Sequence, residues 1–320
     1  MRPIVAPPRT GPPQQGPSPT FSVVITAYQA ESTVAEAIES ALAQTRPPRE
    51  IVVVDDGSTD GTRNVLRAYE DRIALVEQEN RGVAAATNTA VERAGGEFVA
   101  ILNADDVYEP ERLEALSQLA VARPDLDILM TDLLLEVRGE VVGRFCTGTP
   151  FPAADQRLAI FERCFLAEPA IRTSVLRAAG GFDETLRIGE DWECWIRLFH
   201  RGAVAGLVDE PLMRYRLGGP SLTSDRVRAL RSRVEVLERA EQLELTDAER
   251  AELRRFLRRR RPRAVVAEAE EALRERHTDA RRRALRVVVT PGVRASARAA
   301  ALGAAVAPGL AARRLAARAN

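Results

Sequence analysis

Lysine is missing from this chain of 320 residues: all 46 basic side chains are arginine, against 46 acidic ones. No side chain can therefore form a Schiff base or act as a tunable amine. Pyridoxal-phosphate chemistry, lysine aldolases, phosphate loops ending in Gly-Lys and kinases built on a strand lysine are excluded. Cysteine is scarce too. Cys146, Cys164 and Cys194 contain no CxxC pair, and His200 and His277 are the only histidines. That argues against a disulfide framework or a zinc site and suits a reducing cytosol. Long apolar runs are also wanting. The longest apolar-leaning stretch, 299–312, is alanine-rich and interrupted by Gly303, Pro308 and Gly309, too weak to span a bilayer. Residues 1–19 are rich in proline, glycine and glutamine and hold no apolar signal region, which predicts a disordered lead-in. The expectation is a cytoplasmic protein, soluble or peripheral on the inner face of the cell membrane.

The formal net charge of zero hides an asymmetry. Residues 1–225 hold 22 Arg and 34 acidic residues, a balance of −12; residues 226–320 hold 24 Arg and 12 acidic residues, a balance of +12. Halves this unlike predict two jobs. We expect an α/β domain over 20–224 and a basic helical tail over 225–320.

Periodicity supports the division. Phe21–Ile25, Ile51–Val54, Ile73–Glu77, Phe98–Leu102 and Ile128–Met130 read as strands. Between them Glu31–Gln44, Thr59–Tyr69, Val83–Ala94 and Pro110–Ala122 read as helices. This alternation predicts a doubly wound, mostly parallel sheet flanked by helices. Leu133–Val137 and Val141–Phe145 read as a hairpin, Asp191–His200 as a helix and Val204–Val208 as a strand. The tail reads as four helical segments: Asp225–Leu243, Asp247–Arg260, Ala264–Arg276 and His277–Val288.

Ligands of open parallel sheets bind beyond the carboxyl ends of the strands. Those ends carry Thr26-Ala27-Tyr28, then Asp55-Asp56-Gly57-Ser58, then Asn103-Ala104-Asp105-Asp106. Each acidic group could be only a turn and a helix cap. Two such groups at strand ends of one sheet, however, suit a divalent cation or sugar hydroxyls. No GxGxxG follows the first strand, which disfavours a dinucleotide fold. A receiver domain would need a lysine. A third cluster, Gly189-Glu190-Asp191-Trp192-Glu193-Cys194-Trp195, puts acids beside the chain's two tryptophans. Carboxylates at a helix start are ordinary, but a carboxylate beside aromatic surface suits binding and deprotonating a sugar hydroxyl.

The segments FSVVITAY (21–28), EIVVVDDGSTDGT (50–62), ENRGVAAATN (79–88), AGGEFVAILNADD (94–106), GGFDE (180–184), GEDWECWIRL (189–198) and YRLGGPSLT (215–223) resemble the family 2 glycosyltransferases of the GT-A fold. The resemblance implies an inverting, metal-assisted transfer from a nucleotide-diphosphate sugar. It places Thr26, Ala27 and Tyr28 at the base pocket, with Asp55 at the strand tip of the nucleotide-sugar site and Asp56 accepting a hydrogen bond from the base. It places Asn80, Arg81, Gly82 and Asn88 at the helix closing the nucleotide site, and Glu190 and Trp192 are expected among the residues that bind the nucleotide sugar. Asn103-Ala104-Asp105 occupies the Asp-x-Asp position. Asp105, with Asp106 beside it, would hold Mn²⁺ or Mg²⁺, and Asp191 would be the catalytic base. The usual donors are UDP- or dTDP-sugars, and the acceptor a saccharide or a lipid-linked molecule of cell-envelope polysaccharide synthesis.

Two features depart from the family pattern. Asn103 replaces the first acid of Asp-x-Asp, and Leu217-Gly218-Gly219 stands where a histidine often follows the Tyr-Arg pair. Arg214 or Arg216 could contact the diphosphate instead. These departures leave a competing reading, a non-catalytic carbohydrate-binding or scaffold protein on a decayed GT-A fold. The tail lies outside the resemblance. Its positive balance suits an anionic membrane surface, with Arg258–Arg263 and Arg281–Arg283 as contacts. It lacks the interleaved aromatics of nucleic-acid binders, so no nucleic-acid partner is expected.

Overall fold

The computed structural model of the protein describes residues 18–217 and 226–316. The lead-in as far as residue 17 and the 218–223 end of the last motif lie outside them. The chain divides into two compact units, with the boundary after Gly219.

The first unit begins as the periodicity predicts: β1 (Phe21–Ala27), α1 (Val34–Leu42), β2 (Glu50–Asp55), α2 (Thr62–Arg67), β3 (Ala74–Glu77), α3 (Val83–Arg93) and β4 (Phe98–Asn103). Then come β5 (Val107–Tyr108), α4 (Arg112–Ala122), β6 (Ile128–Val137), β7 (Glu140–Arg144), α5 (Phe145–Gly148), α6 (Gln156–Glu162), β8 (Ala170–Arg172), α7 (Thr173–Ala178), α8 (Glu190–His200) and β9 (Ala205–Leu217). The sheet order is β3-β2-β1-β4-β8-β6-β9-β5, with β7 beside β6. β3, β2, β1 and β4 run parallel. Beyond them β8 is antiparallel to both β4 and β6, while β6 and β9 are parallel. The sheet is therefore mixed: parallel throughout its first half, with parallel and antiparallel pairings together beyond it. Strands β1, β2 and β4 are apolar on both faces because helices cover both. Val23, Ile25, Val53 and Leu102 lie fully buried in a core shared with Ile38, Leu66 and Leu113.

The parallel register has the decisive consequence. Thr26 pairs with Val54 on one side and Asn103 on the other, and Ala27 pairs with Asp55. The ends of β1, β2 and β4 thus emerge side by side at one edge of the sheet.

The second unit is helical: α9 (Arg226–Ala240), α10 (Asp247–Arg274), α11 (Ala280–Val289), α12 (Ala295–Val306) and α13 (Pro308–Ala316). A capping box starts α10: the Glu249 N–H donates to Thr246 Oγ1 at 3.3 Å, and the Thr246 N–H donates to Glu249 Oε2 at 2.9 Å. The expected break between Arg260 and Ala264 is absent, because α10 runs through Pro262. Proline removes the bond to the Arg258 carbonyl, but the buried ring packs beneath the turn at Gly292. A Cβ built at Gly292, whose φ is +80°, would stand 3.2 Å from Pro262 Cγ and 3.4 Å from the Arg258 oxygen. The alanine-rich end of the expected helical tail, for which no separate segment was read, forms α12 and α13, as alanine's high helix propensity allows. Its small side chains leave an apolar cavity of about 330 Å³ lined by residues such as Val266, Leu273, Val287, Ala301, Leu310 and Leu315. Among the described residues no helix is long and apolar enough to cross a membrane.

Candidate active site

The loops after β1 and β2 are sewn together. Gln29 Oε1 accepts from the backbone N–H groups of Thr59 and Asp60, at 2.7 and 3.2 Å, and the Ala30 N–H donates to Thr62 Oγ1 at 2.8 Å. Tyr28 projects from this platform, 53% exposed, while Ala27 is buried and Thr26 half-buried. Of the acidic pair that follows β2, Asp55 is fully buried and accepts from the Ser58 N–H at 3.1 Å. Asp56 is a clasp. Its Oδ1 accepts from Gln78 Nε2 at 2.7 Å and the Arg81 N–H at 2.9 Å, and its Oδ2 accepts from the Gly82 N–H at 2.8 Å. The tip of β2 thereby fixes the entry of α3. Gln78 was not singled out in the sequence, where it reads as an ordinary polar residue after a strand.

The end of β4 divides its acids. Asp105 is exposed, and its carboxylate has no hydrogen-bond or ion-pair partner among the described residues. Asp106, 1% exposed, turns inward, and its Oδ1 accepts from the Arg216 N–H at 2.7 Å. Behind both sits Glu168, which the sequence analysis missed. Asn103 Nδ2 donates to Glu168 Oε1 at 2.5 Å and the Asn103 N–H donates to Oε2 at 3.1 Å. Burial pushes the Asp106 and Glu168 carboxyls up, and the hydrogen bond between them lowers Asp106 while raising Glu168 further. The wholly buried Arg112 donates to the Glu168 carbonyl and lies over the Tyr108 ring, with 4.4 Å to its centroid. Only the acid before Pro169 in an apolar stretch hinted at this cluster.

Helix α8 supplies the third group. Gly189, with φ +81°, turns the chain into the helix, and Glu190, Asp191 and Glu193 occupy its first turn, where the dipole favours them. Asp191 reaches solvent, yet surrounding protein pushes its pKa up. Burial first, then the Asp191 charge, pushes Glu190 up to about 7. Trp192 does not offer the expected sugar-facing surface. It belongs to the buried stripe of α8, 6% exposed, and its Nε1–H donates to the Ile160 carbonyl at 2.7 Å. Trp195 is buried beside Phe182. Both tryptophans are core residues because their spacing sets them on the inward face.

The loop before α8 is tied to α3. Asn88 and Phe182 exchange two hydrogen bonds, and Arg81 Nη2 meets Glu184 Oε2 at 2.7 Å. Gly181, with φ +68°, makes room: a Cβ there would stand 2.4 Å from Asn88 Oδ1. Arg187, another residue not foreseen, lies against the entry of α3, where a Cβ at Gly82 would stand 3.0 Å from its Nη1. The arginines of β9 are engaged. Arg216 pairs with Glu36 at 2.5 Å, and Arg214 with Glu109 at 3.1 Å. His200 contacts its own helix, with Nδ1 2.8 Å from the Ile196 carbonyl oxygen. Tyr215 joins the groups: burial raises its pKa, and so do the charges of Asp106, Glu168, Asp105 and Asp191. Four carboxyls from three segments thus lie within electrostatic reach of one hydroxyl. Among the described residues no three His, Cys, Asp or Glu side chains group to hold a metal by themselves.

Residues 22–132 match the model of glycosyl transferase family 2. A Bacillus subtilis protein named for teichuronic acid biosynthesis, TuaG, is 30% identical over 217 residues, which cover 66% of this chain and 84% of that protein. The succinoglycan biosynthesis protein ExoO of Rhizobium meliloti is 32% identical over 203 residues, 57% of this chain and 56% of its own length. Among solved structures, residues 1–349 of S. aureus TarS with UDP-GlcNAc superpose with a TM-score of 0.63 at 19% identity, covering 92% of this chain and 90% of that one. The mannosyltransferase PcManGT of Pyrobaculum calidifontis, in complex with GDP-Man and Mn²⁺, gives 0.59 at 22% identity, covering 98% and 83%. At such identities these two support the GT-A fold alone. The sequence identity to TuaG, sustained over most of that protein and joined to the family match from β1 into β6, makes this chain a member of glycosyltransferase family 2 and a glycosyltransferase.

Proposed function

We propose that the protein is an inverting glycosyltransferase that moves a sugar from a uridine or thymidine diphosphate donor to a saccharide or lipid-linked acceptor of cell-envelope polysaccharide. The observation that carries this reading is the side-by-side emergence of the β1, β2 and β4 tips, with Asp105 at the β4 end and Asp191 on α8 both within electrostatic reach of Tyr215. Tyr28 and the loop braced by Asp56 form the nucleotide platform, and Arg187 at the entry of α3 reaches the diphosphate, where a guanidinium binds phosphate oxygens well. TarS binds UDP and UDP-GlcNAc, and PcManGT binds GDP-Man, which supports a nucleotide sugar without choosing its base.

The exposed Asp105 carboxylate is the hard oxygen donor that Mn²⁺ or Mg²⁺ takes, and further ligands would come from diphosphate and water. Such an ion would neutralise charge on the leaving diphosphate. Asp106 braces that position through Arg216 and Glu168. Asp191 accepts the proton of the acceptor hydroxyl as its oxygen bonds to the anomeric carbon and the bond to the diphosphate oxygen breaks. A single displacement with one base inverts the anomeric centre. The decayed-scaffold reading is not favoured, because Asp105 and Asp191 both stand open to solvent. Asp191→Asn should abolish transfer while nucleotide binding, read by thermal shift with and without Mn²⁺, survives. Loss of both together would mark Asp191 as structural and sink the assignment.

A further inference from the structure

The second unit distributes its charge unevenly. From Ala280 to Asn320 the sequence holds nine arginines and no acidic residue. Arg281, Arg282, Arg294 and Arg313 are exposed and have no ion pair among the described residues. The same helices, α11, α12 and α13, expose Leu285, Val289, Leu302, Val306 and Leu310, each more than half accessible. In α11, Arg282, Leu285, Arg286 and Val289 follow one helical side, so cations and aliphatics share it. Leu302 and Val306 stand one turn apart on α12.

Arginine alone would suit any polyanion. The exposed aliphatics do not suit a nucleic acid, and no Phe, Trp or Tyr occurs after Phe256 to stack on bases. Exposed aliphatics and guanidiniums carried on the same helices instead match the boundary between lipid headgroups and acyl chains. The cavity among α10–α13, lined almost wholly by Val, Leu and Ala, has the same apolar chemistry. We propose that α11–α13 form a docking face for an anionic phospholipid surface, lying on the bilayer without crossing it. The proposal stands apart from the nucleotide-sugar reading, and each can fail without the other.

The test is sedimentation of the full chain with vesicles of phosphatidylcholine alone and of phosphatidylcholine mixed with phosphatidylglycerol, at low and high sodium chloride. Pelleting should need phosphatidylglycerol and weaken with salt. Each arginine is worth about fivefold in affinity, so replacing Arg281, Arg282, Arg294 and Arg313 by Gln should weaken binding by roughly a hundredfold or more. Leu302→Ser with Val306→Ser should weaken it at both salt concentrations. Unchanged thermal melting would establish that the variants remain folded. Equal binding to phosphatidylcholine alone, undiminished binding by the four-Gln variant, or capture of single-stranded RNA without vesicle binding would overturn the proposal.

Discussion

Asn88 and Phe182 hold each other by a reciprocal pair: Asn88 Nδ2 donates to the Phe182 carbonyl at 2.9 Å, and the Phe182 N–H donates to Asn88 Oδ1 at 2.8 Å. An asparagine expected at the nucleotide thus acts as a joint between α3 and the loop that leads to Asp191. Asn88→Ala leaves both backbone groups without this partner, at a cost of about 1–3 kcal/mol. The variant should melt earlier and lose turnover more than donor affinity. Melting curves with kcat and KM measured separately check this, and a pure rise in KM would return Asn88 to the ligand.

Asp105 and Asp106 should separate cleanly despite their adjacency. Asp105→Ala removes an exposed carboxylate, so melting should barely change while Mn²⁺-dependent nucleotide binding falls. Asp106→Ala removes a buried acceptor from the Arg216 N–H and should cost about 1–3 kcal/mol of stability. Thermal melting of both variants, with Mn²⁺ titrated against a nucleoside diphosphate, reads the two effects. Equal destabilisation would show that the outward and inward assignments are mistaken.

Glu190 gives a pH signature. Its pKa is pushed up to about 7, from an ordinary value of 4.5. The folded state therefore holds more protons than the unfolded state between those values. Stability contributed by the neutral carboxyl is present below the lower value and lost as pH rises through the upper one. Glu190→Gln should accordingly raise the melting temperature more at about pH 8 than at about pH 5. The Asp191 charge helps to raise Glu190, so Asp191 ionises while Glu190 is still neutral, and the neutral glutamine should leave the acid limb of the kcat profile in place. A limb that moves to lower pH would show that Glu190 is already charged where Asp191 titrates.

What the sequence made legible follows from the range of the forces involved. The β1–β4 alternation and the stripes of α1, α3 and α8 arise from local periodicity, and each appears within a few residues of its expected place. The short β5, β8, α6 and α7 were not anticipated, because elements of two to seven residues are fixed by neighbours distant in the chain. The division between Asp105 and Asp106 was likewise hidden, since neighbouring acids look alike until burial distinguishes them. Glu168 lies 65 residues from Asn103 and carries no motif. Trp192 misled because adjacency in sequence places side chains on different faces of a helix.

Arg187 offers the sharpest probe of donor binding. It is exposed, has no ion pair among the described residues, and lies against Gly82 where α3 begins. The helix dipole there is positive, and the nearest backbone donors, the Arg81 and Gly82 N–H groups, are already taken by Asp56. An added anion would therefore meet the guanidinium first. A hydrogen bond to a charged group is worth about 1.5–3 kcal/mol. Arg187→Ala should then weaken nucleoside diphosphate binding by roughly 10- to 100-fold without changing the melting temperature of the unliganded protein. Arg187→Lys should recover only part of the loss, because an ammonium cannot form the two-pronged contact. Isothermal titration of the three proteins measures this directly. A melting temperature that falls in Arg187→Ala, with affinity intact, would make Arg187 a brace for the α8 loop.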